Sequence, residues 1–421
     1  MDEVQAFYDK NAQNKWDRLD RHRTEFAVTL RALKESSRNK LRLARMDTEH
    51  AALSKRILDG CLRTKPGQRV WINSWDHTLK LGSDLAWESR KRGCEVLLTV
   101  QPEDLWLRSM IEAPLELVDN LPAHFVAALE ETDIYIYTLG PRKPIPWNMI
   151  PVERRKSVSV WLDTRYDKSR FAEQWAKVSR NRKVRMLAIE ATLATPERAE
   201  AMGLEYEEWK RVMFEGCMAD PGEMSCYAES LVSAMSGDGE VRVTTPFGTD
   251  LRFRLAKRPV DYSNGLATEE KAERGEVAFL PAGGMEVSTA EDSAEGGIVY
   301  DVTIRAEKGL VQGLSLQIAQ GRIKEVSAKA GKEIFDASPL RKQAGDENRF
   351  AFFGFGLNPK LRHGFTQDDK VLGGVTIGFG DNRDKGGKNI ASGGWWASMT
   401  KATVTISGQK IMEDGKLQAK S

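Results

Sequence analysis

The sequence predicts an α/β fold in two parts, an N-terminal doubly wound α/β domain followed by a C-terminal, mainly antiparallel α+β domain. Three observations predict it. Between residues 69 and 189, short continuously apolar runs alternate with stretches of helical period, which is the pattern of a parallel sheet covered on both faces. Two stretches, residues 206–220 and 224–235, then hold a helical period. Beyond residue 240 the period falls to two, and Gly, Asn and Asp turns separate one short strand from the next.

The elements follow in order. Over residues 1–45, Phe7, Trp16, Leu19, Phe26, Leu30 and Leu33 recur at helical intervals and predict a helical arm. A helix over residues 48–58 leads into a first strand at 69–73, a helix at 79–90 into a second strand at 95–100. Third and fourth strands are expected at 133–139 and 184–189. The Ser74-Trp75-Asp76 segment follows the first strand, where doubly wound sheets bind ligands. It carries no glycine fingerprint, so its expected role is to cap the next helix. Helices at 206–220 and 224–235 precede a hairpin of residues 241–245 and 250–255 around Pro246-Phe247-Gly248. Strands follow at 276–280, 297–304, 309–318, 349–355, 373–379 and 402–407. These give an arm at 1–45, an α/β domain at 46–239 and an α+β domain at 240–421.

Composition narrows the function classes. Lys and Arg number 63 against 61 Asp and Glu, so no basic footprint for nucleic acid is expected. No apolar run approaches the ~20 residues of a membrane span. Four cysteines without a CxxC pair, and no secretory leader, imply reduced thiols and a cytoplasmic protein. With five histidines in 421 residues, a His-rich metal site is not expected.

Two resemblances add to this. FYDKNAQNKWDRLDRHRTEF, residues 7–26, resembles the lead-in of some class I S-adenosylmethionine methyltransferases. No glycine-rich turn follows the first strand, so methyl transfer is not expected. A longer series lies downstream: TPFGTDLRF (245–253), RGEVAFLPA (274–282), EDSAEGGIVYD (291–301), FGFGLNP (353–359), DDKVLGGVTIGFGDN (368–382) and GGKNIASGGWW (386–396). In order and spacing, and with TPERAEAMGLEYEEWKRVMFEGCMAD (195–220) ahead of them, they resemble the M29 aminopeptidases, the aminopeptidase T group of leucyl aminopeptidase-like proteins. That resemblance implies a homodimer. It also implies a hydrolase with two divalent ions (Zn, Co or Mn) held by carboxylates and histidines from these words, which clamp the attacking and departing oxygens.

Set against the family, Glu276 is the only retained candidate ligand. Phe352 stands where the family has a glutamate before a Gly-x-Gly turn, Thr376 where it has a histidine, and Gly394-Trp395-Trp396 where it has His-Trp-Asp. Phe, Gly and Trp do not ligate metals. His363 is the only histidine after His124, so a shifted alignment restores none. No metal cofactor is therefore predicted. A hard ion on another set, drawn from Glu276, Glu286, Glu291, Asp292, His363, Asp368, Asp369 and Asp381, stays open, although most of these acids sit in turn-like contexts that favour local backbone hydrogen bonds.

The replacements turn an ion-holding cleft into an aromatic one. Phe352, Thr376, Trp395 and Trp396 are expected to line a pocket for a planar or apolar small molecule or a peptide. Glu276 is the candidate catalytic acid/base if it is buried, or else an ion-pair partner of Arg349, Arg362 or Lys370. Three functions follow: a metal-independent enzyme or small-molecule binder reusing the cleft, a metal-dependent aminopeptidase or amide hydrolase, and a non-catalytic interaction protein.

Overall fold

In the computed structural model the first four strands form where the apolar runs predict them: β1 (Arg69–Trp75), β2 (Glu95–Gln101), β3 (Ile134–Thr138) and β4 (Arg185–Ile189). The structure describes residues 48–155, 169–306, 309–337, 345–391 and 393–418. The arm expected over residues 1–45 lies outside them. Alternate residues of these strands feed two separate cores. Val70, Ile72, Ile134 and Ile136 join a core with Leu81 and Leu85 of the helix Leu79–Lys91. Trp71, Tyr135 and Met186 join another beside Trp175 of the helix Arg170–Asn181, with the Tyr135 and Trp175 ring centroids 4.8 Å apart. A sheet with a core on each face is what the continuous apolar runs require.

Next come β5 (Glu240–Thr244), β6 (Asp250–Tyr262) and β7 (Val277–Leu280). The predicted hairpin is β5 with β6, paired antiparallel. β7 instead returns to the first sheet, running parallel to β4 from Met186 opposite Val277 to Ile189 opposite Leu280. The parallel sheet therefore has the order β2-β1-β3-β4-β7, and the chain beyond residue 240 contributes to both sheets.

The remaining strands are β8 (Gly284–Thr289), β9 (Glu295–Tyr300), β10 (Ile304–Ala306), β11 (Gly309–Val311), β12 (Leu314–Ala319), β13 (Arg322–Ser327), β14 (Phe350–Gly356), β15 (Val375–Gly380), β16 (Gly394–Met399), β17 (Thr403–Ile406), β18 (Gln409–Glu413) and β19 (Lys416–Leu417). Most form a twelve-stranded antiparallel sheet whose main path is β16-β15-β14-β8-β6-β5-β17-β18-β19. β6 links its two ends. Its first half, with Leu251, Phe253 and Leu255 inward, pairs with β5 and β9, and after a register shift between Leu255 and Val260 its second half pairs with β8. Lys257, at φ 51°, and Pro259 sit in that shift, where a residue without a ladder partner is tolerated.

The expected strand over 309–318 is broken into β11 and β12 at Gly313, whose φ of 57° no ladder residue holds easily. Leu58, Leu231, Phe253 and Phe353 belong to one continuous apolar core, so the described residues from Leu53 onward pack as a single unit. Among the described residues no helix is long and apolar enough to cross a membrane.

Candidate functional site

β8, β14, β15 and β16 lie side by side, and their register sets two rows across the sheet. Glu286 pairs with Gly354, Gly354 with Thr376 and Thr376 with Ser398. In the next row Ser288 pairs with Phe352, Phe352 with Gly378 and Gly378 with Trp396. Side chains alternate along a strand, so both rows share one face and Val287, Phe353, Ile377 and Trp395 point into the core. On the first face Glu286, Phe352, Thr376 and Trp396, with Asp369 from the turn Asp368–Lys370, line a recess of about 30 Å³.

Gly378 makes the arrangement possible. A Cβ there would lie 2.0 Å from the Phe352 ring, so the ring rests on the glycine. Phe352 and Trp396 then meet at a tilt, ring centroids 6.3 Å apart. Beside them the Thr376 and Ser398 hydroxyls are 2.8 Å apart, one donating to the other.

The positive charge that meets the cleft carboxylates comes from a lysine. Lys385 is ion-paired with Glu286, and its Nζ stands 5.6 Å from the centroid of the Phe352 ring. Its turn, Arg383–Lys385, is held from both sides. Asn382, fully buried, donates to the Ser288 hydroxyl (2.8 Å), the Ala351 carbonyl (3.0 Å) and Glu291 (3.2 Å). Asn389 donates to the Phe350 and Gly380 carbonyls, both at 2.9 Å. Arg258 closes the network with two hydrogen bonds to Glu291. Burial works to raise the Glu291 carboxyl, but the Arg258 hydrogen bonds, the backbone donors at Glu291 and Lys388 and the Arg258 charge outweigh it and hold the group below its ordinary range.

The predicted site residues divide. Phe352, Thr376 and Trp396 come together in the cleft. Trp395 is on the other face, 4% exposed, stacked on Phe379 at 4.8 Å and edge-on to Phe335 at 5.0 Å. Glu276 is not among the residues lining the cleft. It precedes β7, 38% exposed, paired with Arg274. The three cations proposed for it are elsewhere: Lys370 pairs with Glu190, Arg362 with Glu208 and Arg349 with Asp346. Of the wider acid set, Glu286 and Asp369 reach the cleft, whereas Glu291 pairs with Arg258, Asp381 with Arg383, and Asp368 accepts from the Gly364 amide.

Lys385 was not legible from the sequence, because its partner is about a hundred residues away and only the sheet register joins them. Glu286 was legible only as one acid among several. In the described residues, the group of three or more His, Cys, Asp or Glu side chains with converging ligand atoms is Asp76, His77 and Glu103, and none of these lines the cleft. A pair of dications does not fit Glu286 and Asp369 with a lysine already on Glu286.

The architecture has solved counterparts. Wild-type AmpT from Thermus thermophilus superposes with a TM-score of 0.60 at 16% identity, over 88% of this chain and 98% of that one. The fold is M29-like. It is shared by the 2,5-dihydroxypyridine dioxygenase from Pseudomonas putida KT2440, with a TM-score of 0.56 at 14% identity over 88% of this chain and 97% of that one. Residues 216–419 match the family model described as NicX: 2,5-dihydroxypyridine 5,6-dioxygenase. No curated protein matches the chain. The NicX match begins near the end of the helix Tyr206–Cys217 and takes in every strand of the cleft, so what these M29-like proteins share includes its framework.

Proposed function

We propose that this M29-like protein is a metal-independent small-molecule binder or enzyme that has re-used the cleft between β8 and β16. One observation carries the reading: Lys385 supplies to Glu286 the positive charge that a bound cation would otherwise bring. The ligand class follows from the lining. Phe352 and Trp396 offer apolar ring faces, while Glu286, Asp369 and the Thr376–Ser398 pair offer acceptors. A small planar ring bearing hydrogen-bond donors suits that combination. A recess of about 30 Å³ admits no more than a polar substituent, so the ring lies across the mouth. The name shared by the NicX family and the Pseudomonas enzyme denotes a dihydroxypyridine, a ring of this kind, which supports the class by analogy alone.

Thermal shift in the presence of a chelator tests it, with hydroxypyridines and hydroxybenzoates as probes. At least one probe raises the Tm of the wild type, and Trp396→Ala removes the response. Chelator-sensitive release of N-terminal amino acids from short peptides would favour the metal-dependent aminopeptidase instead. A flat response to every probe, with no such release, would favour an interaction protein.

A further inference from the structure

A second constellation lies at the other sheet. β1 has β2 on one side and β3 on the other, so the winding reverses at its carboxyl end, the crevice where doubly wound sheets take ligands. Three side chains converge there. Asp76 and His77 belong to the turn Asp76–Thr78 that follows β1, and Glu103 opens the helix Glu103–Glu112 that follows β2. Their ligand atoms all lie within 4.8 Å of one another, with His77 Nδ1 3.7 Å from an Asp76 oxygen.

Backbone amides aim the carboxylates. The Glu103 amide donates to Asp76 at 3.1 Å, and the amides of Arg142 and Lys143, beyond β3, donate to Glu103 at 3.0 and 3.3 Å. Asp76 thus caps the helix after β2 rather than the helix after β1. Among the described residues no Lys or Arg side chain forms a salt bridge with Asp76 or Glu103, and nearby Arg142 is ion-paired with Glu197 at 2.8 Å.

His77 is the independent observation. Its side chain is only 11% exposed, and neither buried ring nitrogen makes a hydrogen bond of ordinary geometry, although the Thr192 backbone lies beside the ring. Buried imidazoles ordinarily satisfy their ring nitrogens, and one left open beside two carboxylates calls for a partner.

We propose that Asp76, His77 and Glu103 bind one divalent transition-metal ion. One imidazole and two carboxylates form a mixed nitrogen–oxygen set suited to zinc-type ions. Tetrahedral bonds of about 2.1 Å place ligand atoms about 3.4 Å apart, close to the His77–Asp76 spacing already present. The Asp76 side chain is 48% exposed, so the ion reaches the site from solvent and keeps an open position toward it.

Calorimetric titration of the chelator-stripped full chain with zinc, and with cobalt as a spectroscopic probe, tests this. The wild type takes up one ion, with a cobalt spectrum of low coordination number. His77→Ala and Glu103→Gln each weaken binding by roughly 100-fold, while His363→Ala binds like the wild type. Circular dichroism checks that the variants fold, and if His77→Ala does not, Glu103→Gln decides. No zinc uptake by the wild type, or equal uptake by a folded Glu103→Gln protein, overturns the site.

Discussion

Glu286, on β8, is ion-paired with Lys385, from a turn about a hundred residues later, and the same ammonium stands 5.6 Å from the Phe352 ring. Neither charge is well hydrated, since the two side chains are 22% and 13% exposed. Removing one partner takes from the other its opposite charge at a poorly hydrated position. Lys385→Met is therefore expected to destabilise the fold by about 1–3 kcal/mol. The double variant Glu286→Gln/Lys385→Met recovers much of that loss, a coupling that urea unfolding of the four proteins measures directly.

Gly378 carries the Phe352 ring. Gly378→Ala puts a methyl group where that ring lies, with 2.0 Å between them, and the overpacking costs about 1–3 kcal/mol. Adding Phe352→Leu relieves part of the clash. Equal stability losses with and without the second change would mean that the glycine answers to something other than the ring.

Glu276 is expected to be nearly silent. It is 38% exposed, and its Arg274 partner 57%, so the pair is worth less than about 1 kcal/mol. Glu276→Gln should leave both the Tm and any ligand-induced shift unchanged, whereas Glu286→Gln alters the ligand response.

The Arg258–Glu291 pair gives a pH signature. The folded protein holds Glu291 below its ordinary range, so the stability it contributes is complete above the unfolded carboxyl value of about 4.3 and disappears as pH falls through the lower folded value. Breaking this buried pair by Glu291→Gln costs roughly 3 kcal/mol near neutrality. Denaturant unfolding across the acid range should show the gap between wild type and variant closing below about pH 4.

What the sequence conveyed depended on how local the cause was. β1, β3 and β4 announced themselves through apolar runs, because burial on both faces leaves little room for polar residues, whereas β2 is apolar but only half-buried at the sheet edge. β7 has the same apolar character, but nothing local says that its neighbour is β4 rather than an antiparallel strand. In the cleft, Phe352, Thr376 and Trp396 could be read because their types break an ion-holding pattern. Adjacent Trp395 looked equivalent, yet the two-residue period of β16 turns it into the core against Phe379. Glu276 sits in a matching word, but its carboxylate reaches Arg274 two residues back, and Glu286 occupies the cleft in its stead.

The most direct test of a cleft that holds a lysine in place of a cation is equilibrium dialysis against zinc, comparing wild type, His77→Ala and the double variant Glu286→Gln/Asp369→Asn. The expected result is that the cleft variant takes up as much zinc as the wild type, with any loss confined to His77→Ala. Loss of zinc from a folded Glu286→Gln/Asp369→Asn protein, with His77→Ala still loaded, would contradict the account.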